Sequence, residues 1–353
     1  MTKSIPVFDG HNDVLLRLYK SLSADVVSDF LNGEDAGHLD LKKARSGSFV
    51  GGFFALFSPP EKPTATGPRT ADEKPPQRSP APLTMDAARN SVVGELAILT
   101  KILRAAPSEA ALCLTASEVK SAIATNRLAV VLHLEGAEAI DPDLNFLHVL
   151  YAAGLRSLGP VWSRPTVFGH GVPFKFPGDP DIGPGLTERG KDLVRLCNEL
   201  GILIDLSHMN QKGFEDVAAL SKAPLVATHS NVHALCPSPR NLTDRQLGTI
   251  RESGGMVGLN FSTSFLRTDG MMMADIGIDA MVRHIDYLVD KLGEDHVGLG
   301  SDFDGCTVPA PIKDVTGVPK LFQALADKGY DAALLAKLAH ENWISCLERT
   351  LKA

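Results

Sequence analysis

The sequence predicts an α/β protein folded as a (β/α)8 TIM barrel. Eight short apolar runs rich in β-branched residues recur along the 353 residues, most of them separated by an amphipathic, helix-like stretch. Several runs are almost continuously hydrophobic, as strands buried on both faces of a parallel sheet are. Polar residues of one chemical kind also gather where these runs end. A doubly wound open sheet is the competing fold, but no G-x-G-x-x-G follows the first run.

The expected strands are residues 5–8, 49–57, 129–134, 155–162, 202–206, 225–228, 256–261 and 297–300. Helices are expected over 86–105 with Thr84 as cap, and over 187–200 between a Thr187 start and a Gly201 stop. Further helices are expected over 210–220, 243–253 and 279–292, with closing helices at 318–328 and 331–351. Residues 1–353 read as a single domain. Two segments break the alternation. Residues 58–83, with Pro59-Pro60 and Pro75-Pro76, read as a Pro-rich excursion, disordered or in contact with a second subunit. Residues 164–185, rich in Gly and Pro, follow the fourth run and read as a loop that covers substrate.

Apolar residues make up 44% of the chain and charged residues 22%, as in ordinary soluble proteins. The net charge of −7, with no basic stripe, argues against a nucleic-acid partner. No apolar run approaches the ~18 residues of a membrane span. The five cysteines form no C-x-x-C pair, which suits a reducing compartment. With no signal-like apolar stretch near Met1, a cytoplasmic location is expected.

The chemistry lies at the run ends. The first is followed by His11 and Asp13, and residues two apart on an extended chain point the same way. The third ends in His133-Leu134-Glu135, the fifth in Asp205-Leu206-Ser207-His208, the sixth in Thr228-His229 and the eighth in Ser301-Asp302-Phe303-Asp304. In a barrel these ends converge on one mouth. Three histidines and two carboxylates there suit two divalent ions, with Glu135 as the bridge. Such a pair shares a hydroxide at neutral pH, and Asp302 is placed to carry its proton to a leaving amine. Bland readings stand beside these: a core histidine for His208 or His229 singly, a turn role for Asp304, a core or supporting role for His133, a surface or supporting role for His233. Glu138 reads as a carboxylate at a helix start. His340-Glu341 is no zinc motif, because Ile344 stands where H-E-x-x-H needs its second His. Arg240 is either a carboxylate-binding fork beside the mouth or a surface residue before a capped helix.

DGHND, LEG, GLTERG, IDLSH, THSNVHAL, RNLTD and GLGSDFDG occur in this order. Together they resemble the renal (membrane) dipeptidase family, a branch of the amidohydrolase superfamily, over nearly the whole chain. The resemblance implies a dipeptidase that hydrolyses dipeptides, including ones with a C-terminal D-residue. It implies two Zn2+ per chain, bridged by Glu135 and a hydroxide. His11 and Asp13 then look like ligands of one zinc, His208 and His229 of the other, and Asp302 like the catalytic proton carrier. Arg240 looks like the residue binding the substrate's terminal carboxylate, with Asn241 beside it assigned to substrate binding. The implied partners are a short peptide with a free terminal carboxylate and a second copy of the chain in a homodimer, with no membrane. One departure stands out. Mammalian members carry a His after the fourth strand, where this chain has Trp162. His170, eight residues on, is the candidate to replace it. Two alternatives are a related binuclear hydrolase acting on another amide, lactam or ester, and a non-catalytic barrel kept for binding.

Overall fold

The computed structural model describes residues 5–60 and 80–352. The expected Pro-rich excursion at 58–83 therefore lies mostly outside the described residues. One parallel sheet of 9 strands organises the molecule. Its strands are β1 (Val7–Asn12), β2 (Phe49–Phe57), β3 (Ala110–Leu112), β4 (Leu128–Glu135), β5 (Leu155–Gly159), β6 (Leu203–Ile204), β7 (Val226–Ala227), β8 (Met256–Leu259) and β9 (Val297–Leu299). Eight of them run in the order β6-β5-β4-β2-β1-β9-β8-β7, while β3 pairs with β4 outside this path. The ends meet through a parallel bridge between Asp205 and Val226 and a bond from Leu206 N–H to the Val226 carbonyl (2.9 Å). The result is the nearly closed α/β barrel expected from the run spacing.

All eight expected strands form, but the sequence reading missed β3, a three-residue strand too short to show a period. Two of the boundary differences bear on the mouth of the barrel. The first strand continues to Asn12, so His11 sits on it, and the fourth stops at Gly159, which frees Trp162 from the sheet. The register of β1 against β2 shifts between Asp9 and Asn12. Strict alternation would send Phe8 and His11 to opposite faces. The shift lets Phe8 pack on Phe53 (ring centroids 5.9 Å apart) while His11 reaches the mouth. Irregularities of this kind are common beside active sites.

Helix starts follow the capping residues. Thr84, Thr187, Asn210 and Thr243 each accept a backbone N–H of the first turn, and Gly201 ends its helix in the left-handed region at φ 72°. The expected closing helix at 331–351 is instead Ala332–Ala336, a π-helical turn Lys337–Glu341 and Asn342–Thr350. This last segment stops the barrel from below. The buried Trp343 donates Nε1–H to the Leu299 carbonyl (2.8 Å), and Asn342 donates to Val297 at the start of β9 (2.8 Å). Gly10 and Gly298 give the indole room, since a Cβ at either would collide with it. Phe8, Phe53, Val131, Leu203, Val226 and Met256 surround it. The larger core lies between the strands and the outer helices.

Candidate metal centre

The strand ends bring the five expected ligands together. His11 Nε2 lies 3.4 Å from Asp13 Oδ2 and 3.8 Å from Glu135 Oε2. Glu135 Oε1 lies 2.9 Å from His208 Nε2 and 3.4 Å from His229 Nε2. The two Nε2 atoms are 3.2 Å apart. Glu135 thus stands between a His11–Asp13 side and a His208–His229 side, and all five residues are buried. Asp302 joins His11 and Asp13 in one of the tight groups of ligand-type atoms.

The hydrogen bonds beneath the histidines decide which nitrogen is free. Thr228 Oγ1 gives its one proton to Asp205 Oδ2 (2.6 Å), so His229 Nδ1–H must be the donor in the 2.8 Å contact with that hydroxyl. His229 Nε2 then faces Glu135 as a bare lone pair. His208 is oriented by a second hydroxyl, its Nδ1 lying 2.9 Å from Ser163 Oγ. Both Nε2 atoms and Glu135 Oε1 thus converge within 3.4 Å of one another. Across Glu135, His11 Nε2 and Asp13 Oδ1 are buried without a hydrogen-bond partner. A donor set like this is unfavourable as it stands and fits cations between its members.

The electrostatics agree. Burial drives the Glu135 carboxyl well above its ordinary range, against the opposing pull of His11. Burial holds His208 and His229 well below the ordinary imidazole range, helped by the nearby Arg240 and His11 charges. Burial also acts against a charged His11, but Glu135 and Asp13 outweigh it and push the ring up to about 10. Asp302 rises to about 7, through burial first and the Asp13 charge second. Its Oδ2 accepts from Asn260 Nδ2 (3.0 Å). Gly305 makes this crowding possible, because a Cβ there would run into the Asp13 and Asp302 carboxylates.

Arg240 is buried, which excludes the surface reading. It donates through Nη1 to the Ser207 carbonyl and to Ser230 Oγ (3.3 Å), and through Nη2 to the His229 carbonyl (3.1 Å). Its Nε–H has no partner. Asn241 turns away from the cluster: its amide donates to the Cys236 and Phe265 carbonyls (2.9 Å each). His170 is half-buried in the loop after β5, its backbone paired with Pro165, and belongs to none of the tight groups of ligand-type atoms. Asp304 accepts from His38 N–H (2.6 Å), a loop-fastening role. His133 points inward, with Nδ1 2.9 Å from Ser157 Oγ. His233 is half-buried, with Nε2 2.8 Å from the Gly178 carbonyl. Glu138, expected at a helix start, sits in a turn and pairs with the buried Arg164, because the next helix begins only at Asn145.

Sequence reasoning gave no role to Asp205, Asn260, Thr228 or Ser163. Asp205 ties β6 to β7 by accepting from Ser207 and Thr228, and its Oδ2 lies 3.6 Å from His133 Nε2. Asn260 directly follows the seventh barrel strand, one of the run ends left unread. That position was the available signal.

A model of the family described as membrane dipeptidase (peptidase family M19) matches residues 1–352. The chain is similar to the structure of the dipeptidase AC, a metallopeptidase of family M19: TM-score 0.93, 54% identity, 99% of this chain and 100% of that one covered. It is similar to a metallopeptidase from Rhodobacter sphaeroides liganded with a phosphinate mimic of the dipeptide L-Ala-D-Ala. There the TM-score is 0.92 and the identity 53%, over 99% of this chain and 100% of that one. A Klebsiella pneumoniae relative, the uncharacterized protein in pqqA 5'region, is 50% identical over 254 residues, 72% of this chain and 94% of its own.

Proposed function

Because the chain belongs to the membrane dipeptidase family, peptidase family M19, we propose that it is a binuclear zinc dipeptidase releasing an amino acid from dipeptides, including those with a C-terminal D-residue. The observation that carries this reading is the convergence of the His208 and His229 Nε2 atoms on Glu135, opposite the unpartnered His11 and Asp13 atoms. His11 and Asp13 would hold one ion and His208 and His229 the other, with Glu135 shared. Two bound zinc ions supply a water acidic enough to attack at neutral pH and polarise the scissile carbonyl.

The protein's own groups do the rest. Asp302 takes the proton released by the attacking water and gives it to the departing amine nitrogen, so one carboxylate serves as base and then as acid. Asn260 keeps that carboxylate aimed by donating to Oδ2, leaving Oδ1 for the transfer. The unpartnered Nε–H of Arg240 gives the substrate's terminal carboxylate a charge-assisted bond in a dry setting, where such a bond is strong. The loop over 164–185 is fastened to the centre by Val172 N–H donating to the His208 carbonyl (2.8 Å), so it shields the reacting atoms from bulk water.

The reading extends to one hydrolase domain over residues 1–353 and to a cytoplasmic homodimer. Five unpaired cysteines support the reducing compartment. Metal analysis joined to a screen of L-L and L-D dipeptides, with N-acyl amino acids as controls, tests the proposal. About two zinc per chain and selective dipeptide hydrolysis are expected. A zinc-loaded protein that cleaves no dipeptide would refute it.

A further inference from the structure

Beside His208, three aromatic rings meet that the reaction does not use. Trp162 lies with its ring centroid 5.8 Å from that of His208. Phe57 packs edge-on against the indole at 5.0 Å, and Phe174 at 5.3 Å. Trp162 and Phe174 are half-buried, so the rings form an apolar face between the buried cluster and solvent. Three fixings hold the face in place. The buried Arg164 lies 4.9 Å from the Trp162 ring, held by Glu138 and the Ser58 carbonyl. Phe57 closes β2. Phe174 rides on the segment that Val172 fastens to His208.

Barrel order says which part of a substrate meets this face. Around the mouth the strands follow β1, β2, β4, β5, β6, β7, β8, β9, with β6 and β7 bridged. In a ring of eight, β2 stands across from β7 and β5 across from β9. Phe57 and Trp162 belong to the β2–β5 side. Arg240 follows β7, and Asp302 follows β9. A dipeptide whose carboxylate reaches Arg240 and whose scissile bond lies over Glu135 must run its N-terminal residue toward the aromatic side.

We infer that Trp162, with Phe57 and Phe174, is the specificity wall for the N-terminal residue of the substrate and selects apolar side chains there. The inference rests on the dipeptidase reading and adds the preferred substrate class to it. An aromatic face gains from each methylene laid on it and offers no partner to a carboxylate, Arg164 already occupies the Trp162 ring as its cation, and Gly has nothing to lay there. The test compares kcat/KM for Gly-Ala, Leu-Ala, Phe-Ala, Asp-Ala and Lys-Ala, and for Leu-Gly and Leu-D-Ala, in the wild type, Trp162→Ala and Phe174→Ala.

The wild type should prefer Leu and Phe at the first position, a hydrophobic pocket being worth roughly 10–200-fold per methylene. Trp162→Ala should cut the Leu-Ala to Gly-Ala ratio roughly tenfold, and Phe174→Ala should move it the same way by less. The Leu-Ala to Leu-Gly ratio should hold. Should Trp162→Ala fail to fold, as judged by its metal content, Phe174→Ala alone carries the test. An active wild type whose first-position ratio neither variant moves, or whose second-position ratio moves instead, overturns the inference alone. An inactive wild type overturns the dipeptidase reading, and this inference with it.

Discussion

Asp302 and Arg240 both face Glu135, yet their surroundings give them different work. Asp302 sits at φ 59°, a left-handed conformation that Asp and Asn tolerate better than most residues. Asn is therefore the right probe, because it keeps the backbone and the Asn260 bond while removing the ionisable oxygen. Asp302→Asn should leave zinc content near the wild-type level and lower kcat by on the order of 10²–10⁴, the usual worth of general acid–base catalysis. Metal analysis beside steady-state kinetics checks it, and a fully active variant would rule out the proton-carrier role. Arg240 lies among buried backbone carbonyls with one donor free. Burial lowers it to about 10, but it stays charged at neutral pH. Arg240→Ala should raise KM for dipeptides about 10–100-fold, the worth of a hydrogen bond to a charged group. C-terminally amidated dipeptides distinguish carboxylate binding from bracing of the His229 carbonyl. If they suffer equally, the carboxylate role fails. Arg240→Lys should not rescue, because a point charge cannot replace the fork that grips Ser207 and His229.

At the scale of elements, caps and register position the ligands, and buried polar groups lock neighbours together. His284, on the helix Ile278–Leu292, accepts Val232 N–H at Nδ1 (3.2 Å), just beyond the strand that delivers His229. Burial lowers its pKa from 6.5 to about 4, so the folded state holds it neutral. The unfolded chain takes up a proton first as pH falls. The stability tied to neutral His284 is thus whole above about pH 6.5 and drains away as pH falls toward about 4. Urea unfolding at pH 7.5, 5.5 and 4.5 should show this slope, reduced in His284→Gln. An unchanged slope would remove His284 as its source. The loop over 164–185 is tied to the segment that bears His208 by the backbone of Val172 and Gly171.

At the scale of the whole molecule, the barrel has a polar mouth and an apolar floor. Trp343 is the floor, supplied by the last long helix and admitted by glycines of β1 and β9. Emptying it leaves a cavity that strands joined into a closed ring cannot collapse around. Trp343→Ala should cost about 3–5 kcal/mol in denaturant unfolding. Zinc content per folded molecule should be kept, because the ligands sit at the opposite strand ends. A loss under 1 kcal/mol, the scale of an ordinary surface change, would show that the floor is not what seals the barrel.

The barrel and its five candidate ligands were legible in the sequence for one reason. Parallel strands buried on both faces read as unbroken apolar runs, and the barrel sends the C-terminal end of each to the same place, so spacing gathers the polar run ends and the family resemblance picks His11, Asp13, Glu135, His208 and His229 from them. What spacing does not encode is what each side chain meets. Only the tertiary structure decided that Asn241 turns to the Cys236 and Phe265 carbonyls, because a side chain's partners come from segments distant in sequence. The same holds for the tautomer of His229, which depends on Asp205 taking the Thr228 proton from a neighbouring strand. It holds for Trp162, which reads as the end of a strand and becomes the middle ring of an aromatic face once the chain leaves the sheet at Gly159. Periodicity reports burial, which is local; hydrogen bonding and ring packing are settled by neighbours that only the closed barrel brings together.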